Sequence, residues 1–393
     1  MHSIGFLWAQ FSSYHVDRCV AAAHRLAGRT HVYAVQVCTK SHLYKWEPFK
    51  DVAGATTVTL FPDTVYESIT PWARFWKQYH ALRRCKTVFI GVAYSEPEIL
   101  PLVVLLRLSG VRVIMMSATK YDDFSRSAWV ELIKGALLSV YQGAIVGGRR
   151  QMEYLRFLGF RKRPVLTGYN AVGLDRVREQ GLAFLPPEGV AFRDRPFIYV
   201  GRFVPKKNLN VLLEGFAQYV ARVGREQAHK LVMVGSGPLE GALREQIAAA
   251  GIEDLVEFPG FLTAPQVAGE LARCLALVLV STEEQWGLVV NEALAFGAPM
   301  LTSSPVGSND ALTRNLVNGY IVEPESADGI GRALGQLSAD EESWNAMREE
   351  SLKRRWMGDS ERFADAVEVM LYPDAAEARE RVMRFMQEMG ADV

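Results

Sequence analysis

Short apolar runs bounded by glycine, proline and small polar residues recur along this chain, and helical patterns fill the gaps between many of them. In the first half the runs are SIGFLWA (3–9), THVYAVQV (30–37), TTVTLF (56–61), TVFIGVA (87–93), VRVIMMS (111–117) and GAIVGG (143–148). Amphipathic stretches at 16–26, 72–84 and 127–141 separate several of them. The segment 182–196, LAFLPPEGVAFRDRP, has two prolines and mixed charge and reads as a connecting loop. A second series then starts: FIYVGR (197–202), KLVMVGSG (230–237), VEFPGF (256–261), ALVLVS (276–281), PMLTS (299–303) and GYIVEP (319–324). Helices are predicted at 208–223, 239–250, 264–273, 287–296 and 329–337, and RRWMGDSERFADAVEVML (354–371) reads as a helix broken near Gly358. Strand–helix alternation of this kind predicts parallel sheets wrapped by helices. Two such series in 393 residues predict two Rossmann-like α/β domains, because one hydrophobic core seldom organises so long a chain. Ligands of such sheets bind beyond the carboxyl ends of the strands, so the expected site is a cleft between two facing domains.

The apolar tract 99–116 is the longest, but Arg107, Ser109-Gly110 and Arg112 interrupt it. It divides into a helix, ILPLVVLLRL, and a strand, VRVIMM, and falls short of the ~20 apolar residues of a membrane span. The opening MHSIGFLWAQF has no charged region before its apolar run, unlike a signal peptide. Cys19, Cys38, Cys85 and Cys274 are scattered without CxxC spacing, which fits a reduced, cytoplasmic protein without a zinc site. Charge adds an asymmetry that the zero net value hides. Residues 1–180 carry 24 Lys+Arg against 13 Asp+Glu, and residues 181–393 carry 20 against 31. The basic half suits an anionic partner, unless each half simply solvates itself.

Three strand ends in the second half carry the chemistry. GRFVPKKN follows the first strand there, with Arg202 and Lys207 on a loop entering a helix. Cations beside a helix N-terminus favour a phosphate, although such strings also arise without function. GSGP (235–238) is a small-residue turn into the next helix. STEEQWG (281–287) leads into LVVNEALAF, closed by Gly297 and Pro299. Ionised carboxylates only accept hydrogen bonds, so Glu284 and Glu292 suit ligand hydroxyls better than phosphates. They could equally be solvated acids near a helix start.

Taken together and in this order, GRFVPKK, VGSGP and STEEQWGLVVNEALAFGAP resemble the motifs of the retaining family-4 glycosyltransferases (glycosyl transferases group 1), which have the GT-B fold. The resemblance is strong over 197–325 and loose elsewhere. It implies a domain 1–185 for the acceptor and a domain 186–357 for a nucleotide-sugar donor, with helices 358–393 packing back on the first. It implies that Arg202 and Lys207 hold the donor diphosphate, with Glu284 the third catalytic residue, contacting the sugar hydroxyls. Glu292 would bind ribose. Gly201, Gly235, Ser236, Gly237, Phe261, Leu262, Gln285, Trp286, Gly287 and Leu288 would line the donor pocket. It implies transfer with retention, attack coming from the face the diphosphate leaves. No DxD string is present, which suits metal-independent transfer with no cofactor beyond the donor.

The first half departs from the family pattern: QFSSYHVDR (10–18) stands where a glycine pair is usual. Candidate acceptor-side residues are Ser13, Tyr14, His15, Arg18, Lys120 and Arg126. YDDFSRS (121–127) and KGALLSVYQGAIVGG (134–148) are similar to bacterial polysaccharide-assembly members, which implies a glycan or lipid-linked acceptor. RFWKQYHALRRCK (74–86) and RKRP (161–164) are basic with interleaved aromatics and could meet an anionic membrane face. No aromatic platform for nucleic acid is evident. A sugar-nucleotide epimerase or phosphorylase of the same fold, and a binding module without turnover, are the competing readings. A dehydrogenase is disfavoured because no GxGxxG follows the first strand.

Overall fold

A computed structural model of the protein describes residues 2–41, 49, 51–123 and 125–391. Phe124 of YDDFSRS and the last two residues of the 358–393 stretch lie outside the described residues. The chain forms two compact units. The first comprises 1–121, 125–173 and 360–393; the second comprises 122–124 and 174–359.

The first unit is built on seven parallel strands: β1 (His2–Trp8), β2 (Thr30–Lys40), β3 (Thr56–Val65), β4 (Thr87–Ile90), β5 (Arg112–Ser117), β6 (Ala144–Val146) and β7 (Val165–Thr167). Their order is β3-β2-β1-β4-β5-β6-β7. Six of them coincide with predicted runs, and β7 does not. Three residues, VLT, carry too little pattern to be read from sequence. The strands are nearly continuous apolar runs because helices cover both faces of a parallel sheet. Phe6, Phe89, Ile114 and Ile145 fill the core, and Phe363 of helix Glu361–Leu371 packs on Phe6 at a tilt of 50° with ring centroids 5.4 Å apart.

That helix is also held by charge. Asp365, 1% exposed, accepts from Arg381 Nε at 2.7 Å, pairs with Arg362 at 2.8 Å, and takes Arg25 of helix Ser13–Arg25. Removing a buried carboxylate leaves three half-buried guanidiniums with fewer partners, though Glu361 and Glu368 remain beside Arg25 and Glu368 beside Arg381, so Asp365→Ala is expected to destabilise the first unit by about 1–3 kcal/mol. Urea unfolding followed by tryptophan fluorescence checks this; an unchanged midpoint would remove the network from any structural role.

The second unit has six parallel strands, β8 (Phe197–Val200), β9 (Leu231–Val234), β10 (Val256–Gly260), β11 (Ala276–Leu279), β12 (Met300–Ser303) and β13 (Gly319–Val322), in the order β10-β9-β8-β11-β12-β13. All six follow predicted runs. The unit begins at 174 rather than near 186, because helix Leu174–Leu182 packs on helix Ala264–Arg273. A Cβ on Gly181 would lie 2.5 Å from Ala268 O and 2.3 Å from the Phe296 ring, so only glycine permits that approach. Arg178 Nη1 adds a bond to Ala295 O at 2.9 Å. The break expected near Gly358 lies between helices Glu341–Gly358 and Glu361–Leu371.

The four cysteines are free and buried, three in the first unit and Cys274 in the second. Burial pushes the Cys38 thiol up to about 11 and those of Cys85 and Cys274 to about 12. Among the described residues no helix is long and apolar enough to cross a membrane.

Candidate active site

In each sheet the strand order reverses once, between β1 and β4 and between β8 and β11. The loops that leave adjacent strands in opposite directions there open a crevice at the carboxyl ends. In the second unit the crevice falls between the two motifs singled out from sequence: GRFVPKKN leaves β8 and STEEQWG leaves β11.

These loops are tied together. Thr282 N donates to Lys206 O at 2.9 Å, and Asn208 Nδ2 donates to Val280 O at 3.1 Å and Pro324 O at 2.6 Å. Asn208 occupies the left-handed region, φ 58°, which asparagine tolerates better than most residues. The resulting bend starts helix Leu209–Val223 and directs Lys207 at Glu284. Lys207 Nζ pairs with Glu284 Oε2, and Ser281 Oγ stands 3.5 Å from the same oxygen. Both side chains keep some solvent access, 14% and 17%. On the far side, Gly307 N donates to Glu284 O at 3.1 Å and Ser308 N to Trp286 O at 3.0 Å. The cation and the carboxylate therefore sit on a braced backbone. Arg202 is exposed on the same loop, and its carbonyl accepts from the Tyr199 hydroxyl at 3.0 Å. Burial and the neighbouring Glu284 push that phenol well above its ordinary value, so it remains a donor.

The glycines of the next turn make a close stack possible. Gly235 has φ 132°, and a Cβ on it would lie 2.0 Å from Gly201 O. A Cβ on Gly237 would lie 2.4 Å from Phe203 O. Phe203 N donates to Ser236 O at 2.9 Å, which locks the 201–203 and 235–237 backbones together. Ser236 is exposed at the tip of that turn. Helix Glu240–Ala250 follows without a side-chain cap, so its first amides keep donor capacity for an anion. After β10, Phe261 is exposed and Leu262 half-buried.

Gly287, φ 89°, starts helix Leu288–Leu294 and would meet the Leu279 side chain at 2.8 Å if it carried a Cβ. Gln285 is exposed and Leu288 half-buried beside it. Trp286 points inward: its Nε1 donates to Asn291 Oδ1 at 2.9 Å, and Asn291 Nδ2 donates to Gly358 O at 2.9 Å. Glu292 is buried on the same helix. Asn208 and Asn291 were not singled out from sequence. Their partners lie up to 116 residues away, and only an asparagine just ahead of a helix, after PKK, hinted at the first.

At the switch point of the first unit, QFSSYH supplies the start of helix Ser13–Arg25, with Ser13 and Tyr14 half-buried. His15 stacks on Trp8, with ring centroids 4.8 Å apart, and its Nδ1 accepts from Ser12 N at 3.1 Å. Arg18 is buried, with Nε donating to Ala171 O at 3.0 Å and its guanidinium over the Tyr169 ring. Lys120 is buried, and Arg126 donates to Tyr121 O and Lys120 O at 2.8 and 2.7 Å. In RFWKQYHALRRCK, Arg74 turns inward to Glu98 at 2.8 Å, while Arg83, Arg84 and Lys86 are exposed.

Burial, then Arg18, hold the His15 imidazole well below its usual 6.5. A base with a lowered folded pKa stabilises fully above its unfolded value. Stability of the first unit should thus fall as pH drops below about 6.5 toward that lower value. His15→Gln retains an acceptor at this capping position and should flatten the pH 5–7.5 dependence of urea unfolding. An unchanged slope would assign it to other groups.

Residues 188–354 match the model of the family described as glycosyl transferases group 1. The match lies within the second unit and covers less than half of the chain. The chain is 29% identical over 188 residues to the N-acetyl-alpha-D-glucosaminyl L-malate synthase of Bacillus anthracis, covering 48% of this chain and 48% of that one. It is 25% identical over 163 residues to the O-antigen chain mannosyltransferase C of Escherichia coli, covering 41% and 42%. The chain thus spans less than half the length of these curated relatives. The Anabaena protein HepE, solved in complex with UDP and glucose, superposes with a TM-score of 0.67 at 15% identity over 94% of this chain and 99% of its own. The fold is accordingly GT-B, with two Rossmann-like parallel-sheet units.

Proposed function

We propose that the protein transfers a hexosyl group, with retention, from a nucleotide-sugar donor to a glycan or lipid-linked acceptor in the assembly of a bacterial surface polysaccharide. The observation that carries this reading is the Lys207–Glu284 pair at the β8/β11 switch point, beside Arg202 and the interlocked glycine turn. Carboxylate, ammonium and guanidinium at two adjacent strand ends match a ligand that is hydroxylated at one end and anionic at the other. Relatives named for sugar transfer, and a neighbour solved with UDP and glucose, support it.

In the reaction the bond from the anomeric carbon to the diphosphate breaks and its electron pair leaves with phosphate oxygen. Lys207 and Arg202 stabilise the charge developing there, in place of a metal ion. The acceptor oxygen bonds to the same face of the anomeric carbon, and its proton passes to the departing phosphate. Glu284 holds sugar hydroxyls and Glu292 the ribose, so neither need act as a base. Ser13, Tyr14 and His15 face the acceptor side, with Lys120 and Arg126 further along that domain. The protein works at the cytoplasmic face of a membrane, where the basic first half meets anionic headgroups.

Incubation with a panel of nucleotide sugars and acceptor extracts tests the reading. Acceptor-dependent release of nucleoside diphosphate, insensitive to EDTA, with an anomeric configuration equal to the donor's by NMR, is the expected result. Interconversion of the sugar nucleotide would replace transfer by epimerisation. Phosphate-dependent cleavage would mean a phosphorylase, and binding without turnover would mean a recognition module.

A further inference from the structure

Helix Ala128–Leu138, AWVELIKGALL, is inverted relative to an ordinary surface helix. Its charged residues turn inward. Glu131 and Lys134 are buried, both bonded to the Tyr154 hydroxyl at 2.5 and 2.6 Å, and Arg126 reaches Glu131 at 3.3 Å. At 100° per residue, Leu132, Ala136, Trp129, Ile133, Leu137 and Val130 follow one another around an arc of about 160°. All six are exposed, Trp129 at 76% and Leu132 at 65%. A helix whose apolar face meets solvent while its charges are satisfied inside is arranged for an apolar neighbour.

The face continues onto two neighbouring helices. Helix Ile99–Leu108 exposes Val104 and Leu108, and helix Pro71–Leu82 exposes Trp72 and Trp76. Between the three lies an open groove of about 570 Å³ whose lining, Phe75, Leu100, Pro101, Leu105, Ala136 and Val140 among it, is entirely apolar. The helix ends share an edge. Tyr79 Oη bonds Ser109 Oγ at 2.9 Å, Arg107 Nη1 donates to Val140 O at 2.9 Å, and Arg163 Nη1 donates to Leu138 O at 2.9 Å. Arg83 and Arg84 are exposed just after helix Pro71–Leu82, and Arg161 and Lys162 are exposed just ahead of Arg163, which ties to the end of helix Ala128–Leu138.

We infer that this three-helix face is a docking surface for an anionic lipid bilayer, with the 128–138 helix lying in the headgroup–acyl boundary. Charge decides between a bilayer and a protein partner. Segments 68–95 and 99–121 contain no Asp or Glu, and 124–152 contains only Glu131, which is buried. A face that joins apolar side chains and a cationic edge, with no exposed carboxylate in these segments, complements acyl chains below anionic headgroups. Three indoles, Trp72, Trp76 and Trp129, are the side chains that favour such an interface. The inference rests on the membrane-presented acceptor proposed above and assigns it to one face, different from the basic run alone.

Vesicle sedimentation tests it without any sugar donor. The full-length protein should pellet with 3:1 phosphatidylcholine–phosphatidylglycerol vesicles and much less with phosphatidylcholine alone. The double variant Ile133→Glu/Leu137→Glu should partition at least ~10-fold more weakly. Its thermal unfolding should be unchanged, because both side chains are already exposed. If the variant binds like the wild type, the face is wrong while membrane presentation stands. If the wild type binds neither vesicle, face and membrane presentation both fail, and the transfer reading is judged by its own assay. A wild-type dimer in sedimentation velocity that the variant dissociates would reassign the face to self-association.

Discussion

Lys207→Ala is expected to lower the transfer rate by roughly 10²–10³, the scale of losing one fixed donor to a developing oxyanion. The pair it forms with Glu284 is largely buried, so the fold should survive but lose about 1–3 kcal/mol of stability. Two effects converge on the rate. The leaving diphosphate loses a positive charge placed by the Asn208 bend, and Glu284 loses the partner that fixes its carboxylate. Glu284→Gln should also be slow, since an amide accepts hydrogen bonds less strongly than a carboxylate. Because the two residues act through one contact, the double variant should lose less than the product of the single losses. Initial rates of nucleoside diphosphate release for the four proteins close the cycle. Near-native turnover in Lys207→Ala would remove the diphosphate role from this loop.

Gly235→Ala is expected to be among the most damaging single methyls in the second unit. The added carbon would sit 2.0 Å from Gly201 O, and φ 132° is a conformation that alanine disfavours. Relieving both moves the 201–203 backbone away from the turn and carries Arg202 with it. A cost of about 3 kcal/mol follows from strain and overlap together. Binding of UDP, GDP and ADP, each titrated as a probe, should weaken at least ~10-fold for whichever one the wild type binds. Gly241→Ala is the control. Nothing lies within 4 Å of a Cβ there, and alanine in helix Glu240–Ala250 should be neutral to stabilising by up to ~1 kcal/mol. Equal melting temperatures for Gly235→Ala and the wild type would show that the two loops are not interlocked in solution.

These positions indicate what the sequence makes legible. All six strands of the second unit and the loops that leave β8, β9 and β11 are visible because their signals are local: an apolar run, then glycine or a basic or acidic cluster. Residues defined by distant partners are not visible. Asn208 matters through Val280 and Pro324, and Asn291 through Trp286 and Gly358. Helix Leu174–Leu182 has few apolar residues, so the boundary between the units was expected a dozen residues too late. The 127–141 stretch is amphipathic in sequence, as expected, but periodicity cannot say which face turns inward. Only the bonds of Glu131 and Lys134 to Tyr154 reveal the inversion. For the same reason the basic run 74–86 looked uniform, although Arg74 is committed to Glu98.

The burial of the four thiols has a practical consequence. In the native state none is accessible, and few would be thiolate near neutral pH, so a maleimide should leave the folded protein almost unlabelled. Labelling then becomes a clock for opening. Mass spectrometry of a timed reaction would show up to three adducts when the first unit opens and one when the second does. A nucleotide that slows only the single-adduct channel would report its own location without any assay of sugar transfer.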